Sequence, residues 1–191
     1  MMNEEIVFSH LLFMMPSDEA AKSLLLFAQA QQVTYLAMMG KVQLQFIPAV
    51  LREENIGSLQ VFNQTDSCVA AILMSMAELA GENHVVTIID ELAQENPLIK
   101  EQLREHLFFF DEIANLSDRS MQTLLREYKL SPYMLVDTSD AVKNKLLHNV
   151  SKRVAQQALQ ELAYLASREI DQAAVHQAKG AFAHTVARLL S

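Results

Sequence analysis

Cysteine is almost missing from this chain. Cys68 stands alone in 191 residues, so no disulfide can form within it. That usage fits a reducing, cytoplasmic setting. Glycine and proline are scarce as well, four of each. Collagen-like and Gly-loop architectures are thereby excluded, and a many-turned β-sandwich is disfavoured. No apolar run approaches the roughly 18 residues of a membrane span. The longest, such as Leu11 to Pro16 and Val69 to Met74, fall far short. The start, Met1-Met2-Asn3-Glu4-Glu5, is acidic where a secretory leader would be basic. Together these absences predict a soluble, cytoplasmic chain that is not secreted and makes no direct membrane insertion.

The usual marks of catalysis are lacking too. None of His10, His84, His106, His148, His176 and His184 sits in a His-Glu-x-x-His pattern. Cys68 has no second thiol nearby to give zinc-ligand spacing. There is no Gly-rich phosphate loop and no Gly-x-Ser-x-Gly elbow. Glu105-His106 and Asp111-Glu112 read as solvated charges at helix ends. No catalytic residue, metal ligand or cofactor is assigned, and the chain is expected not to be an enzyme.

What is present is apolar and unevenly charged. The hydrophobic fraction is 51% and the charged fraction 20%, which supports a sizeable core and excludes broad disorder. Residues 1–112 hold 5 Lys/Arg against 16 Asp/Glu, a balance of −11. Residues 113–191 hold 10 against 7, a balance of +3. The acidic front argues against nucleic acid, because phosphate binding needs an excess of Lys/Arg on one face. Two solvated faces of different sign explain the split. The sharper reading is that the C-terminal third meets an acidic partner. The 10 methionines fall at helical spacing among Leu and Ile, which reads as core rather than as a plastic partner groove.

Nearly every segment shows helical periodicity. A short helix is expected over Glu4 to Met14. Ser17 can cap the next, with Ala21, Leu24 and Leu25 inward. Short helices follow over Val33 to Met39, stopped by Gly40, and over Ile47 to Arg52. Ile56 to Thr65 is the least readable stretch. Asp66 or Ser67 can cap a helix through Val69, Ile72, Leu73, Met76 and Leu79 that ends at Gly81. Asn83 to Ala93 follows. Asn96-Pro97 opens a helix through Leu103 and Leu107. Further starts are expected at Ser117 or Asp118, Ser131-Pro132, Thr138-Ser139-Asp140, Ser151 and Asp171. The predicted fold class is therefore all-α, with about ten short helices in a right-handed helical-repeat arrangement rather than a long four-helix bundle.

One stretch carries a resemblance. Residues 106–128 read His-Leu-Phe-Phe-Phe-Asp-Glu-Ile-Ala-Asn-Leu-Ser-Asp-Arg-Ser-Met-Gln-Thr-Leu-Leu-Arg-Glu-Tyr. Residues 146–157 read Leu-Leu-His-Asn-Val-Ser-Lys-Arg-Val-Ala-Gln-Gln. In order and spacing, residues 106–165 resemble the flagellar motor switch protein FliG family. There a Met-Phe-x-Phe hinge precedes an acid, then Leu-x-Asp-Asp-Arg-x-Ile-Gln-x-Leu-Leu-Arg-Glu-Val, then Asn-Met-Ser-x-Arg-Ala-Ala. Pro16-Ser17-Asp18-Glu19-Ala20-Ala21 is similar to the Leu-Pro-Pro-Glu-x-Ala-Ala helix start of the family's middle domain.

The resemblance implies an armadillo-like helical superhelix. It implies middle-domain-like helices over 1–60, a linker near 55–66, a second armadillo-like unit over 66–110 and a C-terminal helical domain over 111–191. The family's N-terminal domain, which holds FliF, and its final segment have no counterpart. A hinge is implied at Leu107, Phe108, Phe109 and Phe110. The family's FliM-binding Glu-His-Pro-Gln motif falls on Asn3, Glu4, Glu5 and Ile6, where it is lost. Its Gly-Gly hinge falls near Asp66-Ser67. On the helix that meets the stator protein MotA, the central Arg is kept as Arg153. The leading Lys falls on Val136, the Asp-Asp pair on Gln160-Glu161, and the last Arg on Glu169 beside Arg168. Arg153, Glu161 and Arg168 are thus the stator-facing candidates.

The implied function is a non-enzymatic component or modulator of the bacterial flagellar motor switch, at the cytoplasmic face of the basal body. The implied partners are a FliM-like switch protein and a MotA-like stator loop. The alternative is a repurposed helical adaptor of another assembly, such as a secretion apparatus. A small-ligand regulatory domain is a third, weaker reading. An exposed apolar stripe on residues 1–60 would favour a homo-oligomer.

Overall fold

The structure, a computed structural model, describes residues 4–46, 56–104 and 106–190. All regular elements among the described residues are helical, so the all-α class holds. The helix expected over Ile47 to Arg52 lies outside the described residues. Two compact units divide the chain between Leu107 and Phe108.

The first unit contains α1 (Glu4–Met14), α2 (Ser17–Leu24), α3 (Gln29–Phe46), α4 (Ile56–Ala80), α5 (Glu82–Glu95) and α6 (Ile99–Arg104). α1 lies against α3, and α2 lies against α4. Phe8, Phe27 and Tyr35 form an aromatic cluster with ring centroids 4.6–5.2 Å apart. Ala20 and Ala21 are wholly buried, and such small side chains let α2 sit close on α4. α4 and α5 bury Val69, Ile72, Leu73 and Met76, and Val85, Ile88, Ile89 and Leu92, as their periodicity predicts, whereas Leu79, expected on the same stripe, is exposed at the end of α4. Buried polar groups are matched. Gln32 donates to the carbonyl of Phe27 at 2.8 Å while its own oxygen meets His84 Nε2 at 2.9 Å.

The second unit holds a 3₁₀ turn at Phe110–Asn115, α7 (Asp118–Glu127), a 3₁₀ turn at Pro132–Leu135, α8 (Asp140–His148), α9 (Lys152–Leu165) and α10 (Gln172–Leu190). Phe110, Ile113, Met121, Met134, Leu146, Phe182 and Val186 form its core. α9 and α10 both pack on the Pro132–Leu135 turn. Asp137, just beyond that turn, adopts φ 46°, a region that Asp enters more readily than most residues. Thr138 Oγ1 lies 2.9 and 3.0 Å from the carbonyls of Met134 and Val136, and Lys179 donates to the Asp137 carbonyl at 3.2 Å.

Four expected caps form. Ser117, Ser139 and Ser151 accept from the amides of Ser120, Val142 and Val154 at 3.1, 3.5 and 3.3 Å. Asp171 accepts from Ala173 and Ala174 at 3.0 and 3.3 Å. Gly81 separates α4 from α5 at φ 90°, a turn closed to most side chains. The buried methionines Met39, Met74, Met76, Met121 and Met134 answer the core reading, whereas Met14 is exposed.

Other local expectations are corrected. Pro16 takes the cap position of α2, and Ser17 is its first residue, without a capping bond. α3 runs through Gly40 to Phe46. α4 begins at Ile56, so Asp66 and Ser67 lie inside it and the expected linker is helical from Ile56 onward. Once a helix exists, each further residue adds a hydrogen bond, and that outweighs the preference of one Gly or Asp for a terminus. α6 stops at Arg104, short of Leu107.

Candidate functional site

α9 is the element that brings two of the three stator-facing candidates together. Ser151 starts it, and Ala158 is its one buried residue. Leu162 packs in part against the core. So narrow an attachment leaves most of the helix in solvent. Arg153, Gln160 and Glu161 are exposed. Glu161 accepts a hydrogen bond from Gln157 at 2.9 Å. Arg168 lies beyond the helix, its guanidinium 4.3 Å from the Tyr164 ring centre. An exposed cation–π contact of this kind contributes about 0.5–1 kcal/mol. Between the charges, Val154, Leu159 and Tyr164 remain 41%, 46% and 55% exposed.

The corner before α9 is fixed by a polar network that helical spacing does not reveal. Asp118, at the start of α7, accepts from Lys145 at 2.8 Å and from Asn149 at 3.0 Å. Asn149 also donates to the Lys145 carbonyl at 2.9 Å. These bonds, Lys145 first, hold the Asp118 carboxyl below its ordinary value. They anchor the Asn149-Val150-Ser151 corner and so set where α9 begins. Asp118 therefore reaches across to α8, while Ser117 does the capping.

The Phe-rich stretch is placed as follows. Leu107 is buried at the end of the first unit. Phe108 packs in part against the second unit's core. Phe109 is half-buried, and its amide donates to Glu112 at 2.9 Å. Phe110 is wholly buried and meets Phe182 edge-on at 6.1 Å, with Lys179 Nζ 5.5 Å from its ring centre. Of the remaining candidates, Glu4 is exposed and Glu5 and Ile6 are half-buried, all in the first turns of α1. Asn3 lies outside the described residues. Val136 is buried, so a charge at that position would face the core.

A groove of about 770 Å³ runs beside α9. Val154, Gln157, Ala158 and Glu161 line one wall, a spacing that places them on one helix face. Glu161 thus borders the groove, whereas Arg153 does not. Among the described residues, no group of three His, Cys, Asp or Glu could hold a metal ion, and no helix is long and apolar enough to cross a membrane. Burial pushes the Cys68 thiol up, which disfavours the nucleophilic thiolate.

The family model described as FliG C-terminal domain matches residues 90–191. The chain belongs to that family. The FliG C-terminal domain match starts within α5 and runs through the whole second unit. The flagellar motor switch protein FliG of Thermotoga maritima is 40% identical over 80 residues, covering 41% of this chain and 24% of that protein. The FliG of Aquifex aeolicus is 28% identical over 137 residues, covering 68% and 41%. That of Borreliella burgdorferi is 26% identical over 134 residues, covering 68% and 39%. The chain thus spans well under half the length of these FliG relatives. The solved full-length FliG of Aquifex aeolicus aligns with a TM-score of 0.39 at 20% identity, over 98% of this chain and 63% of that one.

Proposed function

We propose that this chain is a component or modulator of the bacterial flagellar motor switch that works through protein contacts rather than catalysis. The family match over residues 90–191 carries the reading. The FliG relatives named above are all flagellar motor switch proteins, which does not favour the adaptor alternative. On this reading the chain works at the cytoplasmic face of the basal body. Residues 1–60, 66–110 and 111–191 then stand for the family's middle domain, second armadillo-like unit and C-terminal domain. Leu107 to Phe110 serve as the hinge.

Its partners are a MotA-like stator loop and a FliM-like switch protein. Arg153, Glu161 and Arg168 form the stator-facing set, and their exposure supports it. Exposed charge pairs contribute only about 0.2–1 kcal/mol each, so several weak pairs give a contact that forms and breaks rapidly. At the start of α1, Glu4, Glu5 and Ile6 do not reproduce the FliM motif, so any FliM contact uses a different surface.

The test is a titration of the chain against a MotA cytoplasmic loop and a FliM middle domain, at low and moderate salt, with an Arg153→Glu variant alongside. Salt-sensitive MotA binding, weakened at least about fivefold by the variant, is expected. FliM binding alone would reassign the chain to switch assembly. Binding to neither would restore the adaptor reading.

A further inference from the structure

The groove beside α9 has a mixed lining whose chemistry selects an occupant. Leu125, Leu130, Val150 and Val154 supply its apolar lining. Two exposed cations, Arg126 and Lys129, and the imidazole of His148 also line it. Arg126 and Lys129 are exposed and make no ion pair or side-chain hydrogen bond among the described residues. The single acid of the lining, Glu161, already accepts a bond from Gln157. Glu161 keeps its charge in that bond, so the groove carries two unpaired cations, Arg126 and Lys129, and one carboxylate beside its apolar lining. At about 770 Å³ the groove is within the size range of sites that bury a ligand.

We propose that this groove docks a short acidic amphipathic helix of another protein. Apolar side chains on one face of such a helix would rest on Leu125, Leu130, Val150 and Val154. Carboxylates flanking that face would meet Arg126 and Lys129, the helix-in-groove mode with charge complementarity at the edge. A basic helix of the same shape is repelled, which gives the site its selectivity. Several acids of this chain's own first unit are already engaged. Asp18 pairs with Lys22, Asp90 with Lys100, and Glu91 with Gln29. A second copy is the competing occupant, and the sedimentation measurement below separates the two. The groove shares Glu161 with the stator-facing set, whereas Arg153 does not line it.

The probe is a labelled synthetic helical peptide with leucines on one face and glutamates elsewhere. It is titrated by fluorescence anisotropy against the full chain at low and moderate salt. A peptide with lysines for the glutamates and a scrambled acidic peptide serve as comparisons. The acidic helix should bind, both comparison peptides at least about tenfold more weakly. Arg126→Glu with Lys129→Glu should weaken binding at least about tenfold, and Val154→Asp should do the same without changing net helicity. Arg153→Ala should leave the affinity within about twofold, so a failed stator contact and a failed groove remain distinguishable. No binding, equal binding of the scrambled or lysine peptide, or indifference to both groove variants would overturn the proposal. So would sedimentation showing self-association that Val154→Asp abolishes, since a second copy would then fill the groove.

Discussion

Phe110 shows how one side chain ties several elements together. Its ring is wholly buried, touches Phe182 edge-on and lies below the Lys179 ammonium. Phe182 in turn meets Tyr128 at 5.6 Å. Truncation there leaves a cavity that three segments cannot refill at once. Phe110→Ala should lose about 3–5 kcal/mol of stability, seen as a lower urea midpoint at unchanged slope. Phe108→Ala, at a half-buried site, should lose clearly less. Asp118 offers a second test. Its carboxyl is held below the ordinary value of 3.8 by Lys145 and Asn149. The stabilisation this represents is present above that value and is lost as pH falls through the lower, folded one. Wild type should therefore exceed Asp118→Asn in stability at neutral pH, and the gap should close below about pH 4. Parallel thermal melts across that range would check it.

Among the helices, local chemistry proved legible and cooperative effects did not. The caps at Ser117, Ser139, Ser151 and Asp171 depend on a side chain and an amide two or three residues away, so the sequence displays them directly. Gly40 and Asp66 carry equally clear stop and start chemistry, yet the helices run through both. Propagation along the whole element decided those positions, and no short window contains that information. The buried rows of α4 and α5 were visible because amphipathic spacing repeats within one element. The groove was not visible, because its lining comes from α7, the α8–α9 corner and α9 itself. The Asp118–Asn149 bond spans 31 residues and is hidden for the same reason. Ser151→Ala should lower stability by about 1 kcal/mol, read from the denaturation midpoint, and should fray the first turn of α9.

At the scale of the molecule, the two units differ in charge as well as in core. Residues 108–191 hold 10 Lys/Arg and 9 Asp/Glu, a balance of +1, and residues 1–107 hold 5 and 14, a balance of −9. The second unit encloses its own core, from Phe110 to Val186. A fragment of residues 108–191 should accordingly fold alone, with helical circular dichroism and one cooperative thermal transition. A broad, non-cooperative melt would show that its core depends on residues before Phe108.

The thin attachment of α9 has a consequence for sequence drift. Surface substitutions away from buried contacts usually change stability by less than about 0.5 kcal/mol. With only Ala158 buried and Leu162 packed in part against the core, most other positions on this helix can be rewritten without endangering the fold. Mutation can then reverse or erase its charges nearly neutrally, one at a time. This helix is thus free to change, while Phe110, Phe182 and the Asp118 anchor hold the scaffold constant beneath it.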